Sequence, residues 1–197
     1  MKKGFSGIPG NLTPLLDAQG RPRYKCGLLW YRTPLFDFQA HPKAPCTFTD
    51  KAGTEFRPDN HFPCDGGSIP PATRVIPFAH MDPWNFPRAY PLHDGGYQYG
   101  GLYMRFKGEL DFKFRLMTHA EVDAAMADWL KYDGATWWDR RVILNGIALG
   151  SWTVWNSKKA AKQRAERKRE KIDVYSMAGV LIEDNGGRLL YESTLEG

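Results

Sequence analysis

The chain reads as an α+β protein: a small antiparallel β region followed by three helices with an inserted β-hairpin, between an extended N-terminal arm and a C-terminal extension. Three observations predict this. Residues 24–78 carry short apolar or β-branched runs (YKCGLLWY, CTFT, TEF) cut by Pro, by Gly and by an Asp50-Lys51-Ala52-Gly53 turn, the punctuation of small antiparallel strands. Residues 118–155 carry two apolar patterns of helical period. Composition supplies a core for one domain, with 42% hydrophobic and 14% aromatic residues in a chain of 197.

Each element follows in order. Residues 1–23 are rich in Gly and Pro without a periodic apolar face, and are expected as an arm ahead of a globular domain over 24–156. The β-rich half closes on Asp65-Gly66-Gly67-Ser68-Ile69-Pro70, where the glycines permit φ > 0 and the prolines that follow stiffen the exit. A short helix is predicted over 91–99, with Pro91 in the first turn where its missing N–H costs nothing. Gly95 and Gly96 weaken it. LYMRFKGELDFKFRL alternates about Lys107-Gly108 and predicts a hairpin. Thr118-His119-Ala120-Glu121 is a capping box, and Val122, Ala125, Met126, Trp129 and Leu130 follow at helical spacing until Tyr132-Asp133-Gly134. A long helix begins at Thr136, with Trp137, Trp138, Ile143, Leu144, Ile147 and Ala148 expected to pack. Gly146 and Gly150 on it would admit a close neighbour. A basic helix is expected over 157–172, and a tail over 173–197 with strand-like pieces around Asp184-Asn185-Gly186-Gly187.

Charge is local. The net +5 is carried by KKAAKQRAERKREK, residues 158–171, whose eight Lys or Arg against two Glu make +6 and leave the rest at −1. Lys158, Lys159, Lys162, Arg164, Arg167, Lys168 and Arg169 form either a solvated extension or a docking surface for nucleic acid, anionic lipid or an acidic neighbour. Aromatics are not interleaved with them, which argues against a single-strand stacking platform. Three cysteines at wide spacing suggest neither a disulfide framework nor a structural zinc site, so a reducing compartment is the simpler expectation. MKKGFSGIPGNLTP lacks the apolar stretch of a signal peptide. The most apolar window, residues 142–155, falls short of the roughly 20 residues of a transmembrane helix.

The chemistry gathers at His93-Asp94-Gly95-Gly96-Tyr97. In a helix His93 and Tyr97 share a face, while Asp94 is turned about 100° toward a different neighbour. His93 is then a candidate general base, and Asp94 a candidate partner for a cation or for the preceding loop. The alternative is a buried His–Asp pair that only braces two segments. Asp123 lies about 90° from the centre of its helix's apolar stripe and can point along the edge of the core. Ser68 lacks the surroundings of a nucleophile elbow and is read as loop support with Asp65. Cys64 is read as a small buried hydrophobe before a thiolate nucleophile, and His119 as a partly exposed residue. The spacings of His61, Cys64, His80 and His93 match no zinc pattern. Trp137, Trp138, Trp152 and Trp155 are core or interface anchors, and an exposed cluster among them would favour assembly.

Asp65 to Pro70, Leu92-His93-Asp94, Tyr97 and Glu121-Val122-Asp123 together resemble a small phage and prophage family known as domain of unknown function 1353, over residues 45–150. The same order is more distantly similar to the phospholipase A2 family, especially its disulfide-free viral members. That resemblance implies that His93 takes a proton from water, Asp123 orients the imidazole, and Tyr97 hydrogen-bonds Asp123. It also implies Ca²⁺ held by Asp94 and by carbonyls near Gly66 and Gly67. The expectation is a phage virion-associated protein of the tail, neck or capsid, carrying a His–Asp site of hydrolase type. It would sit in the virion after synthesis in the host bacterial cytoplasm, and would meet other phage structural proteins through the N-terminal arm and residues 158–197. The alternative is a free phage-encoded phospholipase A2-like lipid or ester hydrolase using Ca²⁺.

Overall fold

A computed structural model describes residues 3–26, 32–66, 85–155, 182–183 and 189–191. It shows an α+β fold. The strands are β1 (Gly4–Ser6), β2 (Asn11–Pro14), β3 (Tyr24–Cys26), β4 (Arg32–Pro34), β5 (Phe36–Gln39), β6 (Thr47–Thr49), β7 (Glu55–Arg57), β8 (His61–Cys64), β9 (Gly101–Arg105), β10 (Lys113–Leu116), β11 (Ile182–Glu183) and β12 (Leu189–Tyr191). The helices are α1 (Ala89–Tyr99), α2 (His119–Tyr132) and α3 (Trp137–Trp155). The main sheet runs β1-β6-β7-β9-β10-β11-β12, antiparallel except where β11 joins β10 in parallel. A second sheet runs β2-β5-β8, and β3 pairs with β4.

The N-terminal stretch is extended but is not a free arm. β1 pairs antiparallel with β6, and β2 pairs with β5, so the domain begins by residue 4 rather than 24. Phe5 gives the physical reason, since its ring meets Phe48 edge-on at 5.1 Å and anchors the strand. β6 and β7 form the hairpin that Asp50-Lys51-Ala52-Gly53 predicts: Asp50 N–H donates to the Thr54 carbonyl at 2.9 Å, and Gly53 supplies φ 86°. The predicted hairpin between helices is β9–β10, with Gly108 at φ 95° in its connection.

Phe48, Leu102 and Met104 bury the sheet's apolar face against Leu92, Val122, Met126, Trp129, Leu130 and Ile143 of the helices. Phe36, Phe38, Phe62 and Cys64 make a second, smaller core on β5 and β8. At this centre α1 is buried from Ala89 to Gly96. Its N-terminus has no side-chain cap of its own; Asp133, just after α2, accepts from the Arg88 and Ala89 amides at 2.8 and 3.0 Å. Gly100, at φ 69°, closes it by donating to the Gly96 carbonyl. Gly96 lets the helices approach, since a Cβ there would lie 3.0 Å from both methyls of Val122. Gly96, which weakens α1 as an isolated helix, therefore fits it to α2.

The capping box of α2 forms as the sequence predicts, with Thr118 Oγ1 accepting from Glu121 N–H and the Glu121 carboxylate from Thr118 N–H. α3 opens on a second reciprocal cap between Thr136 and Asp139 that the sequence reading missed. Trp137 and Trp138 depart from their expected packing role, being 62% and 44% exposed, because they occupy the first turn while Val142, Ile143 and Ile147 carry the buried face. The basic residues Lys158, Lys159, Lys162, Arg164, Arg167, Lys168 and Arg169, together with Gly67, Ser68 and the turn at 184–187, lie outside the described residues. Among the described residues no helix is long and apolar enough to cross a membrane.

Candidate active site

α1 presents His93 to α2 and Asp94 to the end of β8, the division that a 100° step requires. Both side chains are almost wholly buried. His93 Nε2 lies 3.4 Å from Asp123 Oδ1, a long contact, and the Tyr97 hydroxyl donates to that same oxygen at 2.5 Å. The imidazole and phenol rings stack at 4.3 Å between centroids, which holds both on one face of α1. On the other side of Asp123, His119 Nε2 approaches Oδ2 at 3.3 Å. His119 is partly exposed, as the sequence predicts. The usable signal is its spacing, because His119 and Asp123 stand i,i+4 on one face of α2.

His93 Nδ1 has no hydrogen-bond partner among the described residues. Asp94 Oδ1 is 3.6 Å away, too long for a hydrogen bond but close enough to favour an imidazolium. Burial pulls the His93 pKa down, yet Asp123 and Asp94 outweigh it and hold the pKa above its ordinary 6.5. Burial also opposes charge on Asp123, but His93, Tyr97 and then His119 hold its carboxyl below the ordinary carboxylate range. With the Nε2 proton directed at Asp123, the neutral tautomer keeps its lone pair on Nδ1, which is buried and faces Asp94 Oδ1.

Asp94 has a different task. Its Oδ2 accepts from the Asp65 amide at 2.8 Å, the Gly66 amide at 3.0 Å and the Cys64 thiol at 2.9 Å. Of the two partners the sequence offers Asp94, it has taken the loop. Gly66, at φ 74°, turns its N–H toward the carboxylate. Of the Ca²⁺ ligands expected at Asp94, Gly66 and Gly67, Gly67 lies outside the described residues, and at Asp94 Oδ2 amide protons point where a cation would need oxygen ligands. Cys64 is no nucleophile here: burial first and Asp94 second push its thiol well above the ordinary range, leaving it a protonated donor. His61 contacts Asp37 at 2.6 Å, and no metal-binding group of three His, Cys, Asp or Glu occurs among the described residues.

Comparison of the chain with protein-family models, with curated proteins and with solved structures finds no match.

Proposed function

We propose that this chain is a phage virion-associated protein, of the tail, neck or capsid, whose domain carries a hydrolase-type His–Asp centre. One observation supports the chemistry above the rest: His93 is tied through Nε2 to an Asp123 that Tyr97 holds, while Nδ1 is left without a hydrogen-bond partner among the described residues. A histidine that only braced two segments would use both nitrogens. In this reading His93 Nδ1 takes the proton of an attacking water, Asp123 steadies the imidazolium that results, and Asp94 holds the β8 loop.

The phage setting rests on the resemblance of Asp65 to Pro70, Leu92-His93-Asp94, Tyr97 and Asp123 to the phage family. Assembly draws support from the exposed Trp137 and Trp138, whose rings lie 6.3 Å apart with the Arg141 guanidinium 5.4 Å from the first. Amide donors on Asp94 Oδ2 weigh against the calcium-dependent phospholipase alternative, so turnover is expected to survive a chelator. The test is ester release from phospholipid vesicles and small esters in the presence of a chelator, with His93→Gln beside the native chain. Turnover abolished in a folded His93→Gln supports the reading. No turnover by the native chain on any ester, with His93→Gln unfolding, identifies His93 as a brace.

A further inference from the structure

The sheet face turned away from the helices carries an unbalanced charge. Phe56 of β7 points toward Trp129, at 6.2 Å between rings, so Glu55 and Arg57 on either side of it point to the opposite face. Register sets Glu55 opposite Arg105 of β9. Those two satisfy each other: Arg105 Nε donates to Glu55 Oε2 at 2.6 Å, its Nη2 pairs with the same oxygen, and Nη1 donates to the Leu110 carbonyl at 3.2 Å.

Arg57 brings a second guanidinium to this corner with no second acid among the described residues. Its Nε donates to Thr47 Oγ1 at 2.7 Å, and its Cζ lies 3.8 Å from the centroid of Phe112, a ring that Arg105 also approaches at 4.8 Å. Among the described residues neither terminal nitrogen of Arg57 meets an acceptor. Glu55 acts on it only through space, and Cys46, its other titratable neighbour, is neutral because burial pushes its thiol up to about 12. Burial first and Arg105 second hold Arg57 below its ordinary value, as expected of a half-buried cation short of a counter-charge.

We infer that the open edge of Arg57, oriented by Thr47 and Phe112, is a binding site for a monoanionic carboxylate. A guanidinium fork presents two parallel N–H groups that match the two coplanar oxygens of a carboxylate. Charge selects the same ligand. Arg57 and Arg105 against Glu55 leave a single positive charge, which a carboxylate neutralises, whereas a phosphate dianion would bring excess negative charge beside Glu55.

The site rests on Arg57 and not on the His93 chemistry, so it can be tested without a substrate. The full chain is titrated with acetate, chloride and inorganic phosphate at matched ionic strength, following the backbone amides of Thr47 and Phe112 by NMR. A saturable shift with acetate, absent in Arg57→Gln and weakened about tenfold or more in Arg57→Lys, is expected, since a hydrogen bond to a charged group contributes about 1.5–3 kcal/mol. An equal response to chloride, tighter binding of phosphate than of acetate, or undiminished acetate binding by Arg57→Lys would overturn it.

Discussion

The two sides of α1 put a carboxylate to opposite uses. On the β8 side Asp94 is buried, and one of its oxygens accepts three donors from Cys64, Asp65 and Gly66. On the α2 side Asp123 is about a quarter exposed and stands between two histidines and a phenol. Asp94 Oδ2 therefore answers two fixed backbone dipoles and a protonated thiol, with Oδ1 3.6 Å from the His93 ring, whereas Asp123 answers only groups that gain and lose protons. The first arrangement holds a loop, the second can respond to chemistry, and a single residue step on a buried helix separates them.

The sharpest way to break that contrast is to remove each acid in turn. Asp94→Ala leaves two buried amides and a thiol without their acceptor and should cost on the order of 3 kcal/mol in urea unfolding. Asp123→Asn should cost about 1 kcal/mol and retain the fold, while lowering ester turnover about 100-fold or more if His93 is the base. Equal stability losses would show that both acids are structural.

A pH series sharpens it further. His93 has a folded pKa above its ordinary 6.5, so its charged pairing contributes stability in full below that pH and loses it as pH rises through the folded value. Asp123 is depressed, so its contribution is present above its ordinary 3.8 and is lost as pH falls through the folded value. The stability gap between the native chain and Asp123→Asn should therefore be wider near about pH 6 than near about pH 9. NMR titration of His93 should also show its pKa falling in Asp123→Asn. An unmoved His93 pKa would detach Asp123 from it.

The glycines give the smallest test, one for each side. A Cβ on Gly95 would make ordinary contact with Phe62 at 3.5 Å, so Gly95→Ala should stabilise α1 by about 0.5–1 kcal/mol. Gly96→Ala presses on Val122 and should instead destabilise by about 1 kcal/mol or slightly more. Thermal melts of the two variants should shift in opposite directions.

Much of this was legible in the chain because it is written in local chemistry. The capping box at Thr118, the Asp50 to Gly53 turn and the i,i+4 pairing of His93 with Tyr97 depend on neighbours a few residues away. The Thr136–Asp139 cap follows the same local logic. The N-terminal strands, the exposure of Trp137 and Trp138 and the place of His119 were less visible, because each depends on what another segment does. Phe5 finds Phe48 across the fold, and nothing near Phe5 in the chain announces it.

The sequence by itself determined the α+β class, the order of hairpin and helices, and the divergence of His93 from Asp94, since periodicity and caps act over one or two helical turns. Tertiary structure alone decided which partner each acid would keep. Asp94 could serve a cation or a loop until β8 aimed two amides at it, and Asp123 could stay at the edge of its helix until α1 came close enough, across Gly96, to bring His93 and Tyr97 to it. The physical reason is that a carboxylate accepts from whatever donors geometry delivers, and the delivery here spans 26 to 30 residues of chain.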